Sequence, residues 1–345
     1  LDLLRRSRKL RRVLRLFGPV VAEVSRSDTG YIIPQIGKSA LWKPDGATNF
    51  SWDCVEKQNW KQQYEGYTPP RLQPDRHRHA EKTRSQMGIP LADWFVCLHA
   101  SENHPRIFRN ASIANYIEAI KVITTAGGWV VRIGDPAMTP LPPMERVVDY
   151  PHTRYRSKLM DIYLISQCRF LIGLNSGPLN VATLFRKPMV LVNMVEWSVG
   201  FPFKKGDLAM IMHIYSRSRH RFLSVKEILE EPFTVQAMNK VSDDYEMVEN
   251  TSEEIRDIVQ EFLSKPEPYE YSNLQETFND ARRRHLRRGL EQGEPRSWIG
   301  VPDTDIVVHQ YRIASLIDTA EGTFGERYLS QNWMVDAFEM SSSKM

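Results

Sequence analysis

The stretch Cys168 to Asn193 constrains this chain more than any other. Cys168-Arg169-Phe170-Leu171-Ile172-Gly173-Leu174 is a short, mostly apolar run, and Asn175-Ser176-Gly177 are turn formers. Pro178 stands near the first position of an apolar helix that continues through Leu179 to Phe185, and Met189 to Asn193 is a second apolar run. Together they read as a strand, a tight turn, a helix and a strand. Such a unit points the free N–H groups and the positive dipole end of the helix at whatever lies above the turn. The usual occupant is a phosphate or a carboxylate. The local pattern leaves two readings open, an anion site and a plain strand-to-helix turn.

The same alternation fills residues 94–193. Trp94 to Leu98 reads as a buried strand ending at His99, and Ile113 to Thr125 as an amphipathic helix stopped at Gly127-Gly128. Trp129 to Asp135 is the next strand, ending in polar residues, then Val147 to Tyr150, then a helix over Leu159 to Ser166. Strands and helices at this interval predict an α/β fold built on a doubly wound parallel sheet, whose ligands sit beyond the carboxyl ends of the strands. That rule brings His99, Arg132, Asp135, Asp149 and the turn Gly173, Asn175, Ser176, Gly177, Pro178 to one rim.

Each of these side chains has a structural reading beside the functional one. His99 serves as a phosphate ligand or general base, or as a structural hydrogen-bond donor. Arg132 grips a diphosphate bidentately, or forms a salt bridge with Asp135 or Asp149. Asp135 takes a ribose or base hydrogen bond, or caps its own loop. Glu196 and Asp207, the acids after the last of these strands, are candidates for a catalytic base or for holding a sugar hydroxyl. Leu223 to Ile228 and Asn250 to Leu263 carry the Ser or Thr and Glu spacing of capped helices.

Several chemistries are disfavoured. The turn lacks a Walker lysine and the dinucleotide glycine spacing, and Leu174 replaces the first glycine of a hydrolase elbow around Ser176. Cys54, Cys97 and Cys168 are too scattered for a zinc set or a disulfide framework, and no acid pair near that rim forms a DxD metal site, so neither a metal nor a cofactor is required. His77 and His79 fall in a polar bridge over residues 74–86 that reads as a solvated linker. The net charge of +4 is a mild excess that singles out no nucleic-acid partner. Residues 1–17 read as a basic amphipathic helix, seven Lys or Arg against one acid in the first fifteen positions, suited to an anionic membrane surface or to packing on the body. Residues 18–75 mix short apolar pieces with many turn formers and hold Trp42, Trp52 and Trp60, which stack on sugars or make a small satellite core. No apolar run long enough to span a bilayer and no signal peptide is visible.

Phe95 to Ala100, Tyr116, Gly127 to Asp135, Asp149-Tyr150, Met160 to Ile162 and Cys168 to Gly177 together resemble a family of bacterial glycosyltransferases found with surface-polysaccharide genes. More remotely they are similar to the donor half of GT-B enzymes such as fucosyltransferases and heptosyltransferases. The resemblance spans about residues 28–263 and is strongest over 94–193. It implies a GT-B-like fold with a Rossmann-like nucleotide-sugar domain over 91–265, an abbreviated acceptor-side region over 18–90 and a helical extension over 266–345. It further implies a nucleotide-sugar donor, with its diphosphate at the Gly173 to Pro178 turn and His99, Arg132 and Asp135 around phosphate, ribose or base. The acceptor would be a glycan or a lipid-linked sugar at the cytoplasmic face of a membrane. Relatives often carry an arginine just after the His-Ala pair, where this chain has Ser101-Glu102-Asn103. That departure supports an alternative, a catalytically inactive nucleotide-sugar-binding or scaffolding subunit.

Overall fold

The structure is a computed structural model that describes residues 69–102, 110–174, 176–194, 204–230, 244–291 and 321–333. The basic helix expected over 1–17, the tryptophans at 42, 52 and 60, Asn175 and Glu196 lie outside the described residues. The chain divides into two compact units, residues 1–103 with 120–189, and residues 104–119 with 190–345. Residues 91–265 therefore contribute to both. Among the described residues seven strands run parallel, four in the first unit and three in the second, which makes the protein a mixed α/β fold.

In the first unit, helix α1 (Pro74–Gln86) precedes strand β1 (Phe95–Leu98). Helix α2 (Ile117–Thr125) leads to β2 (Trp129–Arg132) and β3 (Val147–Asp149). Helix α3 (Lys158–Gln167), β4 (Leu171–Gly173) and helix α4 (Gly177–Leu184) follow. The strand order is β4-β1-β2-β3, all parallel. Leu98 pairs with both Ile172 and Arg132, and Arg132 with Asp149, so the four carboxyl ends are level. Every residue of β1 and β4 is buried, as expected of parallel strands covered on both faces. Each such Val, Leu, Ile or Phe contributes about 1.5–3 kcal/mol relative to exposure.

Helix α2 stops where its sequence says it should. Gly127 (φ +83°) donates to the Thr124 carbonyl at 3.0 Å and Gly128 to that of Ile123 at 3.0 Å, a Schellman closure that needs a left-handed residue. The bridge over 74–86, expected as a solvated linker, is instead helix α1. It starts with a proline in the first turn and an acid, Asp75, beside the positive dipole end. Its hold on the body is Arg84, buried, which donates to the Pro90 and Asp93 carbonyls and lies 4.8 Å from the Phe95 ring centroid. With Ala80 fully buried and the His77 ring 5.5 Å from that of Tyr163, tertiary contacts thus override a pattern with no apolar stripe.

In the second unit, β5 (Met189–Met194), β6 (Leu208–Ile211) and β10 (Thr323–Phe324) pair in parallel, with β6 central. Strands β7 (His213–Ser216), β8 (Arg221–Phe222) and β9 (Tyr245–Val248) form an antiparallel sheet with β7 in the middle. Helices α5 (Val225–Glu230), α6 (Ser252–Ser264), α7 (Asn273–Glu291) and α8 (Glu326–Asn332) complete the unit. The two capped helices stand where their sequence placed them. Ser224 Oγ accepts from the Glu227 amide at 3.2 Å, and Thr251 and Glu254 form a reciprocal capping box on α6. The chain from Phe324 to Leu329 packs back on this unit through β10 and α8, with Phe278 stacked on Phe324 at 4.2 Å.

Candidate functional site

The level carboxyl ends of β1, β2, β3 and β4 put His99, Ile133, Tyr150 and Gly173 one residue past the paired positions. At β4 the chain enters the turn read from sequence, and α4 begins at Gly177 with Pro178 behind it. The Ser176 hydroxyl donates back to the Leu174 carbonyl at 3.1 Å and does not cap the helix. Leu179 N–H bonds the Ser176 carbonyl at 3.2 Å, and Pro178 has no N–H to offer. Gly177 N–H is therefore left as the donor of the first turn without a partner among the described residues. Gly177 is exposed, and a Cβ added there would meet nothing within 4 Å.

His99 stands beside this turn. A Cβ placed on Gly173 would lie 3.9 Å from His99 Cβ, and His99 N–H bonds the Ile172 carbonyl at 2.9 Å. The ring is buried, and its Nδ1 lies 3.1 Å from the Ile133 carbonyl oxygen, which fixes Nδ1 as the protonated nitrogen of the neutral ring. Nε2 then carries the lone pair. Burial, with the nearby Arg132 charge adding to it, pulls the His99 pKa below its ordinary 6.5, against the Ile133 hydrogen bond. The unfolded chain takes up this proton near pH 6.5, the folded one only at lower pH. Stability owed to His99 is thus complete above about pH 6.5 and falls away as the pH drops below it. His99→Asn, whose amide can still donate to Ile133, is expected to flatten that decline when urea midpoints are compared between pH 7.5 and 5.5. An unchanged slope would show that another group titrates.

Arg132, at the end of β2, is fully buried. Its guanidinium donates to the Thr139 carbonyl and, through Nη2, to Glu102 Oε1 at 3.1 Å, and Nη1 lies 3.6 Å from Asp149 Oδ1. Nε is buried without a partner among the described residues. The salt bridge with Asp149 weighed from sequence is present, and a second carboxylate joins it. Glu102 Oε2 accepts the Thr139 amide at 2.7 Å. Asp149 Oδ2 accepts the Leu141 amide at 2.9 Å and lies 2.8 Å from His152 Nδ1. His152 Nε2 in turn lies 3.2 Å from the Pro136 carbonyl. The proline-rich loop after β2 is thus pinned at Pro136, Thr139 and Leu141. Gly134 (φ +151°) opens that loop, and a Cβ there would come within 2.5 Å of Met138 Sδ.

Asp135 is exposed, accepts the Ala137 amide at 2.9 Å and lies 3.9 Å from Arg156 Nη2, the loop-capping geometry weighed for it. In the second unit Asp207 is 1% exposed, and its Oδ2 accepts the Lys204 amide at 3.2 Å. The Thr323 amide donates to its carbonyl at 3.1 Å, which ties β6 to β10. Two participants were not singled out from sequence. Glu102 registered only as a missing arginine, and His152 follows Asp149 at a spacing of three that marks a local pair once β3 is known to end there. No group of three or more His, Cys, Asp or Glu side chains that could hold a metal ion exists among the described residues.

These elements define an α/β protein with a polar cluster at the carboxyl rim of four parallel strands. No protein-family model matches the chain, and no curated protein matches it. Among solved structures it is similar to the crystal structure of the glycosyl transferase family 9 from Veillonella parvula DSM 2008, at 14% sequence identity and a TM-score of 0.29. The match covers 42% of this chain and 42% of that one, less than half the length of either. A likeness of this size fixes neither a fold nor an activity. No helix among the described residues is long and apolar enough to cross a membrane.

Proposed function

We propose that the protein is a glycosyltransferase that binds a nucleotide-sugar donor at the rim formed by β1, β2 and β4. The observation that carries the reading is the meeting, at Gly173, of a neutral buried histidine with a helix start whose Gly177 N–H has no cap. An uncapped helix start suits the diphosphate, and its dipole and N–H offset charge on the departing nucleotide. Asn175, Ser176 and Pro178 belong to the same sequence turn, and Arg132 ends the neighbouring strand β2 with Asp135 in the loop after it. His99 Nε2 has the lone pair needed to take a proton from an acceptor hydroxyl. The glycosyl part of the reading comes from the sequence resemblance over residues 94–193. The acceptor, a glycan or lipid-linked sugar, is part of the same proposal, as is contact of residues 1–17 with an anionic membrane surface.

A second reading, a binding or scaffolding subunit without turnover, is favoured by one feature: Arg132 is already paired with two carboxylates. Calorimetry with UDP-, GDP-, dTDP- and CMP-sugars followed by a transfer assay separates the two. Binding with transfer supports the enzyme, binding without transfer supports the subunit, and no binding by any donor overturns both. Gly177→Pro tests the turn itself. It removes one N–H at a site where Ser176 is already extended (φ −148°, ψ 171°), as a residue before proline must be, and where no atom crowds the ring. Donor affinity is expected to fall about tenfold with the fold intact. Unchanged affinity would remove the turn from the site.

A further inference from the structure

The Glu102 carboxylate occupies a cradle built for an anion. One oxygen accepts Arg132 Nη2 at 3.1 Å and the other accepts the Thr139 amide at 2.7 Å, the two-donor fork that a phosphate or carboxylate of a ligand would take. The arginine is fully buried, with Nε unpartnered among the described residues, while the Glu102 side chain keeps 15% of its surface exposed. The charge is therefore fixed inside, and its counter-charge is the more exposed of the two. Arg132 also faces Asp149, whose own partners are the Leu141 amide and His152, so this guanidinium already meets two carboxylates. A third anion cannot join without repulsion; it can exchange with one.

We propose that Glu102 is a displaceable internal anion, which holds Arg132 and Thr139 in place in the empty protein and yields them to the diphosphate of the donor. The inference rests on the donor-binding reading given above and adds a regulatory residue to it. Exchange, rather than loss, is the step the burial demands, because a buried guanidinium stripped of its partner is strongly unfavourable. Asp149 has no such freedom. It is tied to Leu141 and His152 as well as to Arg132, and it holds the loop from the far side.

Glu102→Gln is the test. The amide oxygen can still accept from Thr139, and Arg132 retains the Thr139 carbonyl and Asp149, but the competing charge is gone. Binding of UDP, GDP and dTDP to the full chain, read by calorimetry beside uridine, guanosine and thymidine, is expected to tighten about five- to tenfold for the diphosphate the protein selects. Nucleoside binding is expected to stay the same, and the gain to disappear when Glu102→Gln is combined with Arg132→Met. Glu102→Ala is the second variant, expected to act in the same direction. A structural role alone would weaken binding or leave it unchanged, and either result with a wild-type protein that binds would overturn the proposal while sparing the donor reading. A diphosphate bound only by the variants would support it. Failure of wild type and variants alike to bind any of the three would overturn the donor reading, and this inference with it.

Discussion

Arg132→Met is expected to destabilise the first unit by about 3 kcal/mol, the largest loss from any single change at the rim. One-sided removal of a buried ion-pair partner costs about 3–5 kcal/mol, because the opposite charge stays behind. The lower end applies here, since the two carboxylates left behind are partly exposed, at 15% and 18%, and each keeps another donor. Methionine fills much of the arginine stem's volume, so the loss is one of charge balance and of the contact to the Thr139 carbonyl. The accompanying Glu102→Gln change removes one of the stranded charges and is expected to return about 1 kcal/mol. Urea titration of the full chain, with hydrogen exchange at the β1, β2 and β3 amides, measures both. A single-variant cost below about 1 kcal/mol would show that the arginine contributes little net stability as a buried charge. Full additivity of the two changes would show that Glu102 and Arg132 are not coupled.

The reason this cluster was only half legible in the sequence is geometric. The strand ends were readable: Trp94 to Leu98, Trp129 to Ile133 and Val147 to Tyr150 are apolar runs that stop at polar residues, and a parallel sheet lines such stops along one edge. Arg132 and Asp149 are register partners on β2 and β3, so their pairing follows from topology. Glu102 lies three residues beyond His99 in irregular chain, where no period sets the direction of a side chain. Its contact with Arg132, 30 residues away, depends on how the chain turns after β1. Helix α1 failed as a reading for the opposite reason. Its faces are polar all round, so periodicity is silent, and the buried Arg84 that holds it finds its partners in residues 90, 93 and 95. The turn at Gly173 to Pro178 was fully legible as local structure, because glycine and proline at those positions have few other uses. Its surroundings were not, since the sequence does not show which side chain stands beside the turn, here His99 against Gly173.

The second large effect lies in the other unit, at the end of β5. Asn193 and Asn250 exchange backbone and side-chain bonds: Asn193 N–H donates to Asn250 Oδ1 at 2.7 Å, and Asn250 N–H donates to Asn193 Oδ1 at 2.6 Å. Asn250 Nδ2 reaches the Ile211 carbonyl at 2.8 Å, and Asn193 Nδ2 reaches the buried Tyr116 hydroxyl at 3.3 Å. Burial, with the Glu249 charge adding to it, pushes the Tyr116 pKa far upward against the Asn193 hydrogen bond, so it stays a neutral partner at any working pH. Asn193 is 2% exposed, Asn250 0%, and Asn193 holds φ +52°, a conformation that asparagine tolerates and alanine resists. Asn193→Ala therefore combines two costs. It orphans the Asn250 N–H, worth about 1–3 kcal/mol, and it removes the polar side chain that lets asparagine tolerate the left-handed region, so that part of the roughly 1–2 kcal/mol strain of a β-carbon there is felt. A total near 3–4 kcal/mol is expected from urea titration. Asn193→Gly leaves the same N–H orphaned but removes the backbone strain, and should be milder by about 1 kcal/mol once the greater freedom of unfolded glycine is counted. Equal losses for alanine and glycine would assign the whole effect to the hydrogen bonds, and a loss under 1 kcal/mol for both would mean that water replaces the reciprocal pair without penalty.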